Sequence, residues 1–306
     1  MTVPTTKLNA EVEMPMVGFG TYLIPNEEAA DAVSAALKVG YRHIDTAEGY
    51  QNEEGVGAAV RSFLGDGAHR REDLFITTKL FPGNPDWGIP VKGYDETLES
   101  LGMSLERLGL DYVDLYLIHA PLAPDERINQ WRALVELKRQ GKAKAIGVSN
   151  YSRAHIEEIR GADLPLPEAN QIELHPWSQK PELITYLRQQ AIQPIAYSSL
   201  VPLSTWRAAE GHDSGKSTEM VEEGKMEDSP FKAMASKYGV TEAQVLLGWA
   251  VQSGYPVLPK STKQERMMQN FELFSFEIDD ADMKAIQGMD RGDGVAWSSG
   301  DPLHTS

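Results

Sequence analysis

Three short apolar segments of the chain each end at a polar side chain, and together they predict the fold. The segments are Arg42-His43-Ile44-Asp45-Thr46-Ala47-Glu48-Gly49-Tyr50, Leu74-Phe75-Ile76-Thr77-Thr78-Lys79 and Val113-Asp114-Leu115-Tyr116-Leu117-Ile118-His119. Short apolar runs that are rich in β-branched residues indicate buried strands. If these strands are parallel neighbours, we expect Asp45, Tyr50, Lys79 and His119 to gather at one rim of the sheet.

Helical periodicity alternates with such strands along the whole chain. A helix is predicted to begin near Asn26 and to stop at Gly40. Further strands are predicted at residues 14–20, 145–148, 171–174, 195–198 and 256–259. Eight βα units in regular alternation imply parallel strands with right-handed crossovers. We therefore predict one α/β domain over residues 1–306, a (β/α)8 TIM barrel with an N-terminal β-hairpin over its lower end and extended βα loops.

The alternative fold is an open, doubly wound sheet. Such a sheet normally binds a dinucleotide through G-x-G-x-x-G after its first strand. Gly18-Phe19-Gly20 is instead followed by Thr21-Tyr22-Leu23, so the third glycine is missing. The closed barrel is therefore the preferred fold. Residues 201–229 form the one long irregular stretch, which is typical of a functional or mobile loop.

The charge balance and the lack of cysteine exclude several classes of partner and chemistry. The formal net charge is −16, whereas nucleic acids and anionic membranes bind basic faces. Because the chain has no cysteine, disulfides, thiolate catalysis and Cys-ligated zinc are excluded. The sequence shows no apolar run long enough for a membrane span, no secretion signal and no metal motif such as H-E-x-x-H. We predict a cytoplasmic protein, a monomer or weak homo-oligomer, with no metal, nucleic-acid or membrane partner.

The four rim side chains match the needs of carbonyl reduction, in which a hydride goes to carbon and a proton goes to oxygen. Tyr50 can give that proton if it leaves more easily than the reference pKa of about 10 suggests. Lys79, held by Asp45, can supply the cation that stabilises the phenolate. A neutral His119 can hydrogen-bond the substrate oxygen and share its developing negative charge. Two other histidines, His43 and His175, fit no such role and are interpreted as structural.

Several motifs resemble those of the aldo-keto reductase superfamily, from the first strand to the C-terminal helix. They are Gly18-Phe19-Gly20-Thr21-Tyr22, Asp45-Thr46-Ala47-Glu48-Gly49-Tyr50, Gly147-Val148-Ser149-Asn150, Asn170-Gln171-Ile172-Glu173, and Pro259-Lys260-Ser261 followed by Arg266. The resemblance implies a barrel enzyme that uses NADPH to reduce small-molecule carbonyl substrates. It also implies a catalytic tetrad of Tyr50, Lys79, Asp45 and His119, with Tyr50 as the acid.

The resemblance further implies where the nicotinamide end of the cofactor binds. Ser149, Asn150 and Gln171 would bind the carboxamide, because their side chains offer the donors and acceptors that an amide needs. Tyr197 would stack beneath the nicotinamide ring. The other implied cofactor contacts in this part of the chain are Gly20, Thr21, Tyr22, Ser198 and Leu200.

A basic cluster near the C-terminus is implied to bind the 2′-phosphate of the cofactor. It consists of Lys260, Ser261 and Arg266, and Arg and Lys are the usual partners of phosphate. In so acidic a chain this cluster favours NADPH over NADH. Gln269 and Asn270 would contact adenine. The family commonly carries Glu where this chain has Gln269, and an amide can still hydrogen-bond adenine.

The substrate pocket departs from the family pattern at one position. Many members have Trp after the catalytic His, whereas this chain has His119-Ala120-Pro121. Ala120 is expected to open one wall, as in the fungal and yeast branch that reduces conjugated polyketones, ketopantoyl lactone and related α-dicarbonyls. The other candidate pocket residues are Tyr22, Phe81, Trp87 and parts of residues 201–206.

Two alternative functions remain open. The first is a nucleotide-binding, redox-sensing barrel with little turnover, against which the complete tetrad argues. The second is a barrel hydrolase, which would need paired carboxylates or metal ligands at the rim. The motifs supply neither pattern.

Overall fold

An antiparallel hairpin opens the chain and lies apart from the main sheet. The computed structural model describes residues 3–65, 67–203, 230–292, 294–297 and 299–305. In it β1 (Thr5–Lys7) pairs with β2 (Glu13–Pro15). Met14 is fully buried, in a cluster with side chains of the barrel strands such as Leu115 and Leu117. The hairpin therefore packs over one end of the barrel, as predicted.

Seven parallel strands follow in chain order. They are β3 (Phe19–Gly20), β4 (His43–Asp45), β5 (Phe75–Leu80), β6 (Val113–Ile118), β7 (Ala143–Ser149), β8 (Ala169–Glu173) and β9 (Gln193–Tyr197), each hydrogen-bonded to the next. The predicted first strand, residues 14–20, is wrong in its extent, because residues 14 and 15 belong to the hairpin. A continuous apolar run cannot separate two consecutive buried segments.

The predicted eighth strand, residues 256–259, is reduced to one bridging residue. Val257 forms isolated parallel bridges to both Val17 and Ala196, so it joins the first and last strands and closes the ring. Pro256 and Pro259 flank it and have no N–H to donate, which prevents a longer ladder. The eightfold barrel is therefore confirmed, with a short closing strand.

Helices cover the outside of this ring. The described ones are α1 (Asn26–Val39), α2 (Glu53–Leu64), α3 (Tyr94–Leu108), α4 (Arg127–Arg139), α5 (Arg153–Gly161), α6 (Pro181–Gln189), α7 (Pro230–Tyr238), α8 (Glu242–Gln252), α9 (Gln264–Phe271) and α10 (Asp280–Gln287). Gly40 ends α1 at φ 125°, a conformation that favours glycine, as the sequence predicted. The apolar faces of the helices pack on the outer faces of the strands and form the main core.

Two features of the described residues bear on the predictions about membranes and loops. None of the described helices combines the length and the apolar character that a membrane span requires. In the predicted long loop, residues 201–203 form a single 3-10 turn, whereas residues 204–229, which include the candidate pocket residue Trp206, lie outside the described residues.

Candidate active site

The carboxyl ends of β4, β5 and β6 bring the four predicted catalytic side chains together. Asp45 ends β4, Lys79 is the second-to-last residue of β5, and His119 follows β6 directly. Tyr50 ends a 3-10 turn, Glu48–Tyr50, that follows β4. Parallel strands present their carboxyl ends at the same rim of a barrel, which is where catalytic groups of this fold lie.

Lys79 is the centre of the hydrogen-bond network. Its ammonium lies 2.5 Å from Asp45 Oδ1, 2.9 Å from the Thr46 carbonyl oxygen and 3.4 Å from the Tyr50 hydroxyl. The Lys79 side chain is completely buried, so these three oxygens replace its water shell. The second oxygen of Asp45 accepts a hydrogen bond of 2.8 Å from Gln171 Nε2. With both oxygens held, the carboxylate fixes the direction in which Lys79 points at Tyr50.

Burial is the largest influence on the pKa values of Tyr50 and Lys79. It raises the pKa of Tyr50 well above 10, and the nearby Asp45 charge raises it further. Burial lowers the pKa of Lys79, while the charge of Asp45 opposes that change. The sequence prediction that the cation would ease the departure of the Tyr50 proton is therefore outweighed in this state. Tyr50 keeps its proton at neutral pH, which suits a group that must donate one.

His119 is held as a neutral imidazole. Burial and the nearby Lys79 charge lower its pKa to about 3. Its ring meets the Tyr50 ring edge to face at 5.4 Å between centroids. Nδ1 is buried and has no hydrogen-bond partner among the described residues. His119 lines the cavity, so its neutral ring can contact a ligand that enters beside Tyr50.

These groups open into a cavity of about 970 Å³. Predicted site residues that line it are Gly20, Tyr22, Asp45, Tyr50, Phe81, Trp87, His119, Ser149, Asn150, Gln171, Tyr197, Ser198, Leu200, Lys260, Ser261, Arg266, Gln269 and Asn270. Thr21 does not line it, because its side chain is buried and donates to the Asp45 carbonyl oxygen at 3.1 Å. Thr21 therefore supports β4 from behind.

Ala120 is not among the described residues that line the cavity, and its role in opening a substrate wall stays a prediction. The residue is fully buried and is absent from the cavity lining. Gly49, which the sequence analysis did not single out, lines the cavity close to His119. A Cβ placed on Gly49 would lie 3.5 Å from the Phe81 ring and 3.9 Å from His119 Nδ1, so any larger side chain there would fill the space.

Amide and hydroxyl groups line the cavity beside the four catalytic side chains. Asn150 Nδ2 donates to the His119 carbonyl oxygen at 3.0 Å, and Asn150 Oδ1 accepts from the Tyr197 hydroxyl at 2.6 Å. Ser149 donates to the Gln171 carbonyl oxygen at 2.7 Å. Asn150 has φ 61° and Ser198 has φ 55°, and such left-handed residues concentrate at functional sites. These bonds connect Asn150 to the backbone of His119.

Three cations also line the cavity. Lys260, Lys263 and Arg266 all face it, and no carboxylate of the described residues pairs with any of them. Ser261 Oγ lies among them and accepts from the Lys263 backbone N–H at 3.0 Å. Burial lowers the pKa of Lys260. Three unpaired cations in a chain with a net charge of −16 are suited to an anionic ligand.

The sequence reading also missed Trp297, which lies in the C-terminal tail. Its indole N–H donates to the Tyr197 hydroxyl at 3.1 Å. Its ring stacks near Trp87 at 6.4 Å and meets His119 edge to face at 6.1 Å. The only signal in the sequence is an aromatic residue in a Gly- and Ser-rich tail, which periodicity cannot interpret.

The two histidines interpreted as structural lie outside the cavity lining. His43 is buried inside the barrel, with Nε2 3.0 Å from Thr77 Oγ1. His175 Nε2 lies 2.8 Å from Glu173 Oε1. No group of histidine and acidic side chains among the described residues could hold a metal ion.

We expect the folded chain to become less stable as the pH is lowered below about 6. Burial lowers the pKa of His43 to about 4 and that of His119 to about 3, whereas both are near 6.5 in the unfolded chain. Because the unfolded chain binds the extra protons, stability is present above pH 6.5 and is lost as pH falls, by about 1.4 kcal/mol per pH unit for each group. Urea unfolding at several pH values tests this. His43→Asn should flatten the slope, and an unchanged slope would contradict the assignment.

Comparisons with known proteins agree with this geometry. The model of the Aldo/keto reductase family matches residues 16–291. The glyoxal reductase of Bacillus subtilis is 39% identical, over 95% of this chain and 94% of that protein. Methylglyoxal reductase DkgA of Escherichia coli is 37% identical, over 95% and 96%. An uncharacterised oxidoreductase of Schizosaccharomyces pombe is 35% identical, over 95% and 96%.

Solved structures give the same result. An aldo-keto reductase from Bombyx mori in complex with NADP superposes with a TM-score of 0.84 at 32% identity, over 98% of this chain and 96% of that one. The aldo/keto reductase from Brucella melitensis gives 0.80 at 40% identity, over 94% and 100%. The match spans the barrel and the rim that carries Asp45, Tyr50, Lys79 and His119. The chain belongs to the aldo/keto reductase family.

Proposed function

We propose that this chain is an NADPH-dependent reductase of aldehydes and ketones, including α-dicarbonyls, with Tyr50 as the general acid. The observation that carries the proposal is the contact between the buried Lys79 ammonium and the Tyr50 hydroxyl, at 3.4 Å, in the wall of a large cavity. We further propose that residues 1–306 act as one domain, as a monomer or weak homo-oligomer in the cytoplasm.

The lining of the cavity fits NADP(H) at three places. Asn150 and Gln171 carry amides at the end beside Tyr50, where a carboxamide would find both donors and acceptors. Tyr197 offers an aromatic ring beside them. Lys260 and Arg266 also line the cavity and have no carboxylate partner among the described residues, so they are suited to a phosphate. The Bombyx mori relative binds NADP, which supports the same cofactor here.

Each of the four catalytic side chains would have a separate role in the reduction. NADPH, when bound, supplies the hydride. Tyr50 and His119 hydrogen-bond the carbonyl oxygen, and Tyr50 gives its proton as negative charge develops there. Lys79 stabilises the phenolate that remains, because a cation beside a phenolate lowers the free energy of the charged form. Asp45 holds Lys79 in place and compensates for its burial.

The space beside His119 supports small and flat carbonyl substrates. Gly49 leaves room next to the imidazole, and the surrounding walls are aromatic side chains, namely Tyr22, Phe81, Trp87 and Trp297. Relatives that are 39% and 37% identical are named for glyoxal and methylglyoxal reduction. These names favour α-dicarbonyls. The narrower fungal ketoreductase branch stays a prediction, since bacterial and fungal proteins are among the relatives.

Oxidation of NADPH in the presence of methylglyoxal tests the proposal directly. We expect steady loss of NADPH absorbance and formation of a hydroxy carbonyl product in the same amount. The alternative, a redox-sensing barrel, predicts tight NADPH binding without turnover on any member of an aldehyde and ketone panel. That result with folded protein would contradict the proposed enzymatic function.

Arg266→Ala is expected to weaken NADPH binding about ten- to a hundredfold while leaving NADH binding nearly unchanged. A lost charge-assisted hydrogen bond removes about 1.5–3 kcal/mol, and NADH has no 2′-phosphate to lose. Fluorescence titration with both cofactors measures the effect, which should shrink as salt rises. Arg132→Ala, an exposed arginine on α4, is the control. Equal losses for both cofactors would indicate that Arg266 supports the loop instead.

A further inference from the structure

Glu173, at the end of β8, is a buried carboxylate that the reaction above does not use. It is 2% exposed and does not line the cavity. Oε1 accepts the backbone N–H of Val295 at 2.8 Å, and Oε2 accepts that of Ala296 at 2.6 Å. His175 Nε2 lies 2.8 Å from Oε1. A buried charge is retained at a cost unless it is well paired, and here it fastens two consecutive amides of the C-terminal tail.

A second carboxylate, Asp301, lies within the tail itself and ties it to Lys180. Asp301 Oδ2 accepts from the Gly294 N–H and from the Lys180 ammonium, both at 2.9 Å. Gly294 fits tightly between the two anchors. A Cβ on Gly294 would lie 2.5 Å from Glu173 Oε2 and 3.0 Å from Asp301 Oδ2. The tail can therefore approach Glu173 this closely only with glycine at residue 294.

Trp297 lies between these anchors and faces the cavity. It is the next residue after Ala296, whose N–H Glu173 holds, and it precedes Asp301. Its indole contacts Trp87, His119 and the Tyr197 hydroxyl. The position of this aromatic wall therefore depends on bonds made by a carboxylate that never touches the cavity.

We propose that Glu173 is a positioning residue that sets substrate selectivity by fixing Trp297 against the reaction site. The proposal rests on the proposed carbonyl reductase function. It concerns aryl-substituted carbonyls, because a flat ring beside His119 can pack against the indole of Trp297, whereas a methyl group gains little from it. Glu173 is thus expected to control the KM of aryl substrates, with little effect on the chemical step.

Phenylglyoxal and methylglyoxal form a matched pair for the test. Both carry the same α-ketoaldehyde, so the ratio of their KM values reports the wall contact alone. In Glu173→Gln one of the two backbone N–H groups meets an amide NH2 instead of an oxygen. We expect the KM of phenylglyoxal to rise about three- to tenfold. The KM of methylglyoxal and both kcat values should stay within about twofold.

Two further variants test the same inference if Glu173→Gln folds poorly. Gly294→Ala disturbs the same anchor from the tail and should shift the KM ratio in the same direction. Trp297→Ala should shift it at least as much, and adding Glu173→Gln to Trp297→Ala should change the ratio little further, because both act on one wall. Asp114→Asn is the control, since Asp114 also accepts a backbone N–H, from Ile76, at the opposite end of the strands. It should lower stability without moving the ratio.

Several results would overturn the inference. One is an unchanged KM ratio in both Glu173→Gln and Gly294→Ala. Another is full additivity of Glu173→Gln and Trp297→Ala, which would mean that Glu173 does not act through the indole. A wild-type chain that reduces neither substrate would instead contradict the proposed function, so the two failures are distinct.

Discussion

Tyr50→Phe is expected to lower kcat for methylglyoxal reduction by about 10²–10⁴-fold, the usual contribution of a general acid. The variant removes one oxygen and keeps the ring, so the contacts with Tyr22 at 5.1 Å and His119 at 5.4 Å can persist. NADPH binding should therefore change little. Single-turnover rates with saturating NADPH, together with a fluorescence titration, separate the chemical step from cofactor binding.

Tyr116→Phe provides a matched control for Tyr50→Phe. The Tyr116 hydroxyl is buried, has no hydrogen-bond partner among the described residues and lies outside the cavity lining. Deleting it should leave the rate unchanged and cost little stability, because no hydrogen bond is lost. If Tyr50→Phe reduced methylglyoxal as fast as this control, the proton would have to come from another group.

The raised pKa of Tyr50 also predicts how the wild-type rate depends on pH. In the wild type Tyr50 remains protonated through neutral pH, so reduction should not weaken between about pH 6 and 8 through loss of the acid. His119 is neutral over the same range, because burial keeps its pKa near 3. A pH profile of kcat with an inflection near the ordinary histidine pKa would contradict this picture.

The catalytic rim could be predicted from sequence because it follows from strand order. Asp45, Lys79 and His119 come at or just after the ends of buried runs, and parallel strands place those ends together. Tyr50 could be assigned to the same rim because it follows Asp45 closely in the sequence and because the motif resembles that of the family. The charge state of the cluster could not be predicted, because the depth of burial decides whether the cation or desolvation controls the pKa of Tyr50.

Other parts of the site depend on contacts between distant segments. The tail that carries Trp297 has no periodicity, and its place is set by Glu173, more than a hundred residues earlier. Whether Ala120 shapes the substrate pocket does not follow from its position after β6, because the residue after a strand can face either the cavity or the surrounding protein. The strand at residues 256–259 was predicted, but its shortening to Val257 follows from the flanking prolines.

Lys79→Met is expected to reduce both activity and stability, for two separable reasons. The Tyr50 phenolate loses its cation, and a unit charge at about 4 Å contributes on the order of 4 kcal/mol at an effective dielectric constant of about 20. Since only part of the charge develops in the transition state, we expect kcat to fall by at least about 10²-fold. Asp45 is meanwhile left buried without its cation, which typically costs about 3–5 kcal/mol of stability.

The double variant Asp45→Asn, Lys79→Met separates these two effects. With both charges removed, no uncompensated ion remains in the barrel, so most of the lost stability should return. The asparagine can still pair with Gln171, which now holds Asp45 Oδ2. Activity should stay low, because Tyr50 still has no cation beside it. Denaturant unfolding and single-turnover rates on the three proteins measure both quantities. Recovery of wild-type activity in the double variant would mean that Lys79 serves only to neutralise Asp45.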